Sequence, residues 1–148
     1  MVSVNNPFMF IMPSIRGRIL VVDDQRMMRG ITALLLRAEG YDVIEAGSGE
    51  EALAILAEIQ VDLMLTDLKM EPMDGLTLLQ RALKMEPRLQ VIILTAFGSS
   101  EISEESLRLG ACDYIQKPLK HGEMEHRVGR AVERSRLLSP PGQVSDDS

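Results

Sequence analysis

This chain has little that would let it bind nucleic acid, cross a membrane or hold a structural zinc. One cysteine, Cys112, stands among 148 residues, so an intrachain disulfide and Cys-rich zinc patterns are excluded. Nothing therefore points to an oxidising compartment. Positive charge is in deficit. Sixteen Lys and Arg face 22 Asp and Glu, giving a net charge of −6, which is not the footprint of a protein that binds nucleic acid directly. No apolar run approaches the roughly 18 residues of a membrane span. The apolar patch at residues 8–12, between Pro7 and Pro13, has neither a preceding basic residue nor a small-residue cleavage site. It does not read as a signal peptide, and a cytoplasmic location is expected. The nucleotide-binding pattern G-x-x-x-x-G-K-[ST] does not occur.

What is present is an ordinary globular mix, 45% hydrophobic and 26% charged, which excludes a collagen-like or wholly disordered chain. Residues 1–17 read as an irregular leader. Residues 139–148 (SPPGQVSDDS) read as a disordered tail. The roughly 120 residues between them suffice for one layered domain, 18–138. Short apolar runs alternate there with helical spacing. Strands are expected at 18–22, 42–46, 61–66, 90–95 and 113–116. The first helix is expected at 25–39, capped by Asp24 and burying Met28, Ile31, Leu34, Leu35 and Ala38. Ser48 and Glu51 form a capping box before a second helix that carries Leu53, Leu56 and Ile59. Asp74 caps a third helix at 75–85, a fourth spans 100–109, and a fifth at 123–138 buries Met124, Val128, Ala131 and Leu138. Gly40 and Gly110 end the first and fourth helices. Five strands, each followed by a helix, imply a doubly wound α/β fold with a parallel sheet covered on both faces.

Ligands of such sheets bind beyond the carboxyl ends of the strands. Asp23 and Asp24 follow the first strand, Asp67 the third, Thr95 the fourth, and Lys117 with Pro118 the fifth. Three crowded carboxylates remain ionised together only with a cation among them, and an all-oxygen donor set suits Mg²⁺. Lys117 adds a second positive charge, and the group is equipped to hold a phosphoryl group. A single aspartate after a strand is ordinarily a cap or turn residue. The agreement of four strand ends gives the cluster its weight.

These residues resemble the receiver domain of two-component response regulators. The resemblance runs from about Arg18 to Leu138. It rests on VVDD at Asp23 and Asp24 with Met28 and Arg29 shortly after, LTD at Asp67, MDG at residues 73–75, LTA at residues 94–96, and KP at Lys117 and Pro118. It implies a flavodoxin-like fold, (βα)5, with strand order 2-1-3-4-5. It implies that Asp67 takes the phosphoryl group, that Asp23 and Asp24 bind Mg²⁺ with Asp67 and the Lys69 carbonyl, and that Lys117 pairs with the phosphate. Thr95 is then the switch hydroxyl and Tyr114 the switch aromatic, and the bond between Lys117 and Pro118 is cis. The implied partners are a histidine kinase or phosphotransfer protein upstream, and an effector protein or a C-terminal domain outside this sequence downstream. A phosphorylation-dependent homodimer is one form the output can take. The implied role is a phospho-acceptor with slow self-dephosphorylation, not a turnover enzyme, switching the face made by the fourth helix, fifth strand and fifth helix.

Two departures stand out. The family's Met-Pro-x-Met-Asp-Gly loop here reads Met70-Glu71-Pro72-Met73-Asp74-Gly75, with proline one place late. Phe97 stands where the family tunes access of the attacking water, so a longer-lived phosphoryl group is expected. Other readings fit less well. The G-x-G-x-x-A pattern at 47–52 follows a half-polar strand suited to a sheet edge rather than to a dinucleotide crevice. A haloacid-dehalogenase-type phosphatase needs an acid where Lys69 stands. His121 and His126, five residues apart, do not share a helical face. Cys112 and the methionines Met27, Met28, Met70 and Met73 read as packing. A receiver-like scaffold without phosphorylation is disfavoured by the complete acid set.

Overall fold

The computed structural model describes residues 16–96, 100–120 and 122–138. The readings made for the leader up to residue 15, for Phe97, for His121 and for the tail from 139 lie outside these residues.

Five strands alternate with five helices. The strands are β1 (Arg18–Val22), β2 (Asp42–Ala46), β3 (Leu63–Asp67), β4 (Gln90–Thr95) and β5 (Asp113–Gln116). The helices are α1 (Arg26–Ala38), α2 (Gly49–Leu56), α3 (Gly75–Met85), α4 (Ser100–Arg108) and α5 (Glu123–Leu138). All strands are parallel in the order β2-β1-β3-β4-β5, the flavodoxin-like order expected of the sequence. Successive residues of a strand point to opposite faces, so each central strand feeds two cores. Leu20, Val22, Met64, Val91 and Ile93 pack with Ala52 of α2 and with Leu78, Leu79 and Ala82 of α3; Ile102 of α4 covers the same face. Ile19, Val21, Leu63, Leu65, Ile92 and Leu94 pack with Ala33 and Leu36 of α1 and with Met124, Val128 and Ala131 of α5.

Local chemistry sets most boundaries as expected. Ser48 Oγ accepts from the Glu51 amide at 3.1 Å, while Glu51 reaches back to the Gly47 amide at 2.7 Å. Asp74 caps α3 through the Thr77 amide at 2.8 Å. Gly40 and Gly110 take the positive φ that ends a helix, at 98° and 114°. Gly49 packs on Met73, where a Cβ would lie 2.6 Å from the sulfur. The G-x-G pattern is thus a packed turn into α2 beside edge strand β2. Met70 and Met73 are buried as expected.

Four expectations are corrected. Asp24 does not cap α1. The N-cap is Gln25, whose side chain makes no capping bond, and Asp23 Oδ1 accepts from the Gln25 amide at 2.9 Å. Because β1 ends at Val22, it is Asp23 that folds back over the turn, leaving Asp24 exposed. The third strand starts at Leu63, not Val61, and Asp67 is its last residue, in register with Leu94. Leu138 is exposed, and Val132 joins the buried side of α5 instead. The largest error concerns α1. Its buried residues are Thr32, Ala33 and Leu36, whereas Met27 and Leu34 are 78% and 66% exposed, and Met28, Ile31 and Leu35 also face outward. In this orientation Arg29 and Arg37 reach β2. Arg29 pairs with Glu45 of β2 at 3.1 Å, and Arg37 donates to the Val43 carbonyl at 2.9 Å.

The observed orientation predicts unequal costs for two leucines in α1. Leu36→Ala should lower unfolding stability by about 2–5 kcal/mol, and Leu34→Ala by no more than about 1 kcal/mol. Urea midpoints of the two variants measure this directly, and the reverse order would restore the face suggested by the apolar spacing.

Candidate functional site

β1 and β3 lie side by side, with Val22 in register with Thr66. Residues just beyond their carboxyl ends therefore meet. Asp23, Asp24 and Asp67 each offer a carboxylate oxygen, and these oxygens lie within 4.8 Å of one another. Asp23 is buried, Asp67 half-buried and Asp24 exposed. From the far side β5 supplies Lys117, whose Nζ is 2.8 Å from Asp67 Oδ1 and 3.9 Å from Asp23 Oδ2. The Lys117 amide donates to the Thr95 carbonyl at 2.8 Å, which ties the lysine backbone to the end of β4. The bond from Lys117 to Pro118 is cis, as expected, and so is that from Glu71 to Pro72.

Thr95 is buried at the end of β4, and Tyr114 is half-buried against the core beneath α2, α3 and α4. Lys69 lines a pocket of about 590 Å³ beside the acids, together with Asp24, Glu71, Asp74 and Ile102. Asp23, Asp24, Asp67 and Lys117 are thus in direct proximity, Thr95 ends the neighbouring β4, and Tyr114 lies within β5, in register with Ile93.

Two further residues shape the site. Arg29 donates from Nη1 to the Asp23 carbonyl at 2.8 Å while its Nε bonds Glu45, so it fixes the turn that carries the buried acid. Its position within VVDD…MR was visible, but the backbone carbonyl it would meet was not. Gly75 donates to the Leu68 carbonyl at 2.8 Å, and a Cβ there would lie 2.3 Å from the Asp67 carbonyl oxygen. Only a glycine allows the start of α3 to press against the backbone at the end of β3. Its place in the Met-Asp-Gly triplet was a signal for this.

Burial pushes the Asp67 carboxyl above its ordinary value, the hydrogen bond and charge of Lys117 pull it down, and Asp23 and Asp24 push it further up. The outcome is a raised value. Cys112 is also raised, mainly by burial, so it remains a thiol, as befits a packed residue rather than a nucleophile. The three acids fit a hard divalent cation: the donors are all oxygen, they converge, and a single amine does not offset three negative charges.

Comparison with known proteins identifies the family and the fold. A family model described as the response regulator receiver domain matches residues 19–129. The transcriptional regulatory protein ZraR of Salmonella typhimurium is 40% identical over 124 residues, which cover 82% of this chain and 28% of that protein. GlrR of Escherichia coli, another transcriptional regulatory protein, is 36% identical over 119 residues, 80% of this chain and 27% of that one. The chain thus spans little more than a quarter of these curated relatives. A response regulator receiver domain protein from Clostridium thermocellum superimposes with a TM-score of 0.78 at 31% identity, covering 82% of this chain and 98% of that one. NtrX from Brucella abortus, crystallised with ATP, gives 0.79 at 33% identity, over 88% of this chain and 29% of that one.

The crowding at Asp67 has a measurable consequence. In the metal-free protein its carboxyl should titrate above 3.8 by carbon NMR, and Lys117→Met should move it higher still, because both contributions of the lysine hold it down. A folded value above the unfolded one means that this group adds stability only as pH falls through that value. A midpoint at or below 3.8, or a downward move in the variant, would contradict the assignment.

Proposed function

The chain belongs to the response regulator receiver domain family, and on that premise we propose that Asp67 accepts a phosphoryl group from a histidine kinase or phosphotransfer protein. The observation that supports this most is the convergence of Asp23, Asp24 and Asp67 with Lys117 Nζ 2.8 Å from the acceptor. Asp23, Asp24 and Asp67, with the Lys69 carbonyl, would hold one Mg²⁺. That ion supplies positive charge against the phosphoryl oxygens when bound.

The rest is the work of the chain's own side chains. Asp67 attacks phosphorus with one carboxylate oxygen. The new O–P bond forms as the P–N bond of the donor phosphohistidine breaks, and the imidazole leaves with the electron pair. Lys117 lies within hydrogen-bond distance of the attacking carboxylate, so its ammonium can follow the charge onto the phosphoryl group. Thr95 is the hydroxyl that donates to a phosphoryl oxygen, and its movement leaves room for Tyr114 to turn inward. Because Tyr114 is only half-buried, it has an outer position to leave. The surface made by α4, β5 and α5 then changes, and an effector protein, a C-terminal domain or a second copy reads it. Two states a few kcal/mol apart suffice for such a switch. The role is that of a phospho-acceptor, with slow loss of the group and a cytoplasmic setting.

Acetyl phosphate with Mg²⁺ should produce a phosphoprotein that phosphate-affinity electrophoresis retards. Chelation of the metal should prevent it, and Asp67→Asn should abolish it. Retardation that persists in the variant would place the acceptor elsewhere. Phe97→Ala should shorten the lifetime of the labelled species, and an unchanged decay would remove Phe97 from control of hydrolysis.

A further inference from the structure

Among the described residues, the edge strand β2 gives no carboxylate to the acidic cluster, yet it is wired to it through one arginine. Arg29 of α1 donates from Nε to Glu45 of β2 at 3.1 Å and from Nη1 to the Asp23 carbonyl at 2.8 Å. Its side chain is only 18% exposed, so it is largely withdrawn from water between these two acceptors. It passes close to Gly47, where a Cβ would lie 3.0 Å from Nη1 and press on the guanidinium. The first glycine of the G-x-G pattern thus leaves room for this side chain.

The carbonyl that Arg29 holds is in a telling place. It belongs to the peptide that joins Asp23 to Asp24. Asp23 is already tied by its amide to the Ala46 carbonyl at 3.1 Å and by its carboxylate to the Gln25 amide at 2.9 Å. A peptide unit is planar, so a bond to its carbonyl fixes the plane from which both neighbouring side chains leave. Three like charges without an ion between them push one another apart. A guanidinium suits the task of opposing this, because its fork is rigid. With Nε held by Glu45, Nη1 is aimed.

Charge alone predicts the opposite effect on a cation. A guanidinium near the acids repels a positive ion and lowers its affinity. Only its control of geometry can raise it. Arg37 supplies an internal comparison. It lies on the same helix and shares Glu45 at 3.4 Å, but its other bond goes to the Val43 carbonyl of β2.

We propose that Arg29, aimed by Glu45, is a positioning residue that sets the relative placement of Asp23 and Asp24 for a divalent cation. The edge strand β2 thereby governs the affinity of a site to which it gives no ligand. The inference rests on the reading of Asp23, Asp24 and Asp67 as one Mg²⁺ site.

Calorimetric titration with Mg²⁺ tests it on the parent chain and on three variants. Arg29→Met should weaken binding by about tenfold, although it removes a positive charge. Arg29→Lys keeps the charge but not the fork, should weaken binding in the same direction, and carries the test if the methionine variant fails to fold. Arg37→Met removes the same charge and a pair with the same Glu45, and should stay within about twofold of the parent. In the metal-free chain, the Gln25 amide should exchange its hydrogen about tenfold faster in either Arg29 variant, while the amides of β3 keep the parent rate. Unchanged or tighter Mg²⁺ binding in the Arg29 variants, or an unchanged Gln25 amide, would overturn this inference alone and leave the cation site standing. Equal weakening by Arg29→Met and Arg37→Met would also overturn it, because the effect would then belong to the α1–β2 pairing at large. No saturable binding in the parent would overturn the cation-site reading and this inference with it.

Discussion

Asp23, Asp24 and Asp67 are like charges held within a few ångströms of one another at the edge of a sheet, and their mutual repulsion is what the surrounding structure must oppose. At their separation of 4.8 Å or less, a pair costs on the order of 3 kcal/mol at an effective dielectric of about 20. Lys117 offsets part of this from the end of β5, at 2.8 Å from Asp67. Asp23 is further held by the Gln25 amide on its side chain and by Arg29 on its carbonyl. The excess negative charge that remains is what suits the site to a hard cation.

The fold concentrates this charge cheaply because a parallel sheet delivers all its carboxyl ends to one edge. β1 and β3 are neighbours at the centre, so their terminal acids adjoin without any long loop. β4 and β5 follow on the same side, which brings Thr95 and Lys117 to the edge in turn. The strands are anchored below by two apolar cores, one on each face, so the edge can carry repelling groups without loosening the sheet. Gly75 lets α3 start directly against the end of β3, where any side chain would collide with the Asp67 backbone.

Most of this was legible in the residues. Apolar runs bounded by Gly and Asp marked the strands. The acids, Thr95 and Lys117 were recognisable because each stands at a strand end. The orientation of α1 was not legible, and the reason is physical. Apolar spacing in that helix favours the stripe through Met28, Ile31, Leu34 and Leu35, whereas the sheet takes the smaller residues Thr32 and Ala33 with Leu36. The observed orientation goes with the long-range pairing of Arg29 and Arg37 with β2, which no local pattern encodes. The cap of α1 failed for a related reason. Asp23 and Asp24 are both plausible caps, and only the end of β1 at Val22 decides which carboxylate folds back. The closeness of Gly75 to the Asp67 backbone likewise depends on a contact between separate elements.

The central claim is that the three aspartates act as one cation site. Titration calorimetry with Mg²⁺ on the parent chain and on Asp23→Asn tests it most directly, because asparagine keeps an oxygen for the Gln25 amide while removing the charge. The account predicts one saturable Mg²⁺ site in the parent, weakened by at least about tenfold in the variant. No saturable binding in the parent, or equal affinity in the two proteins, would contradict it.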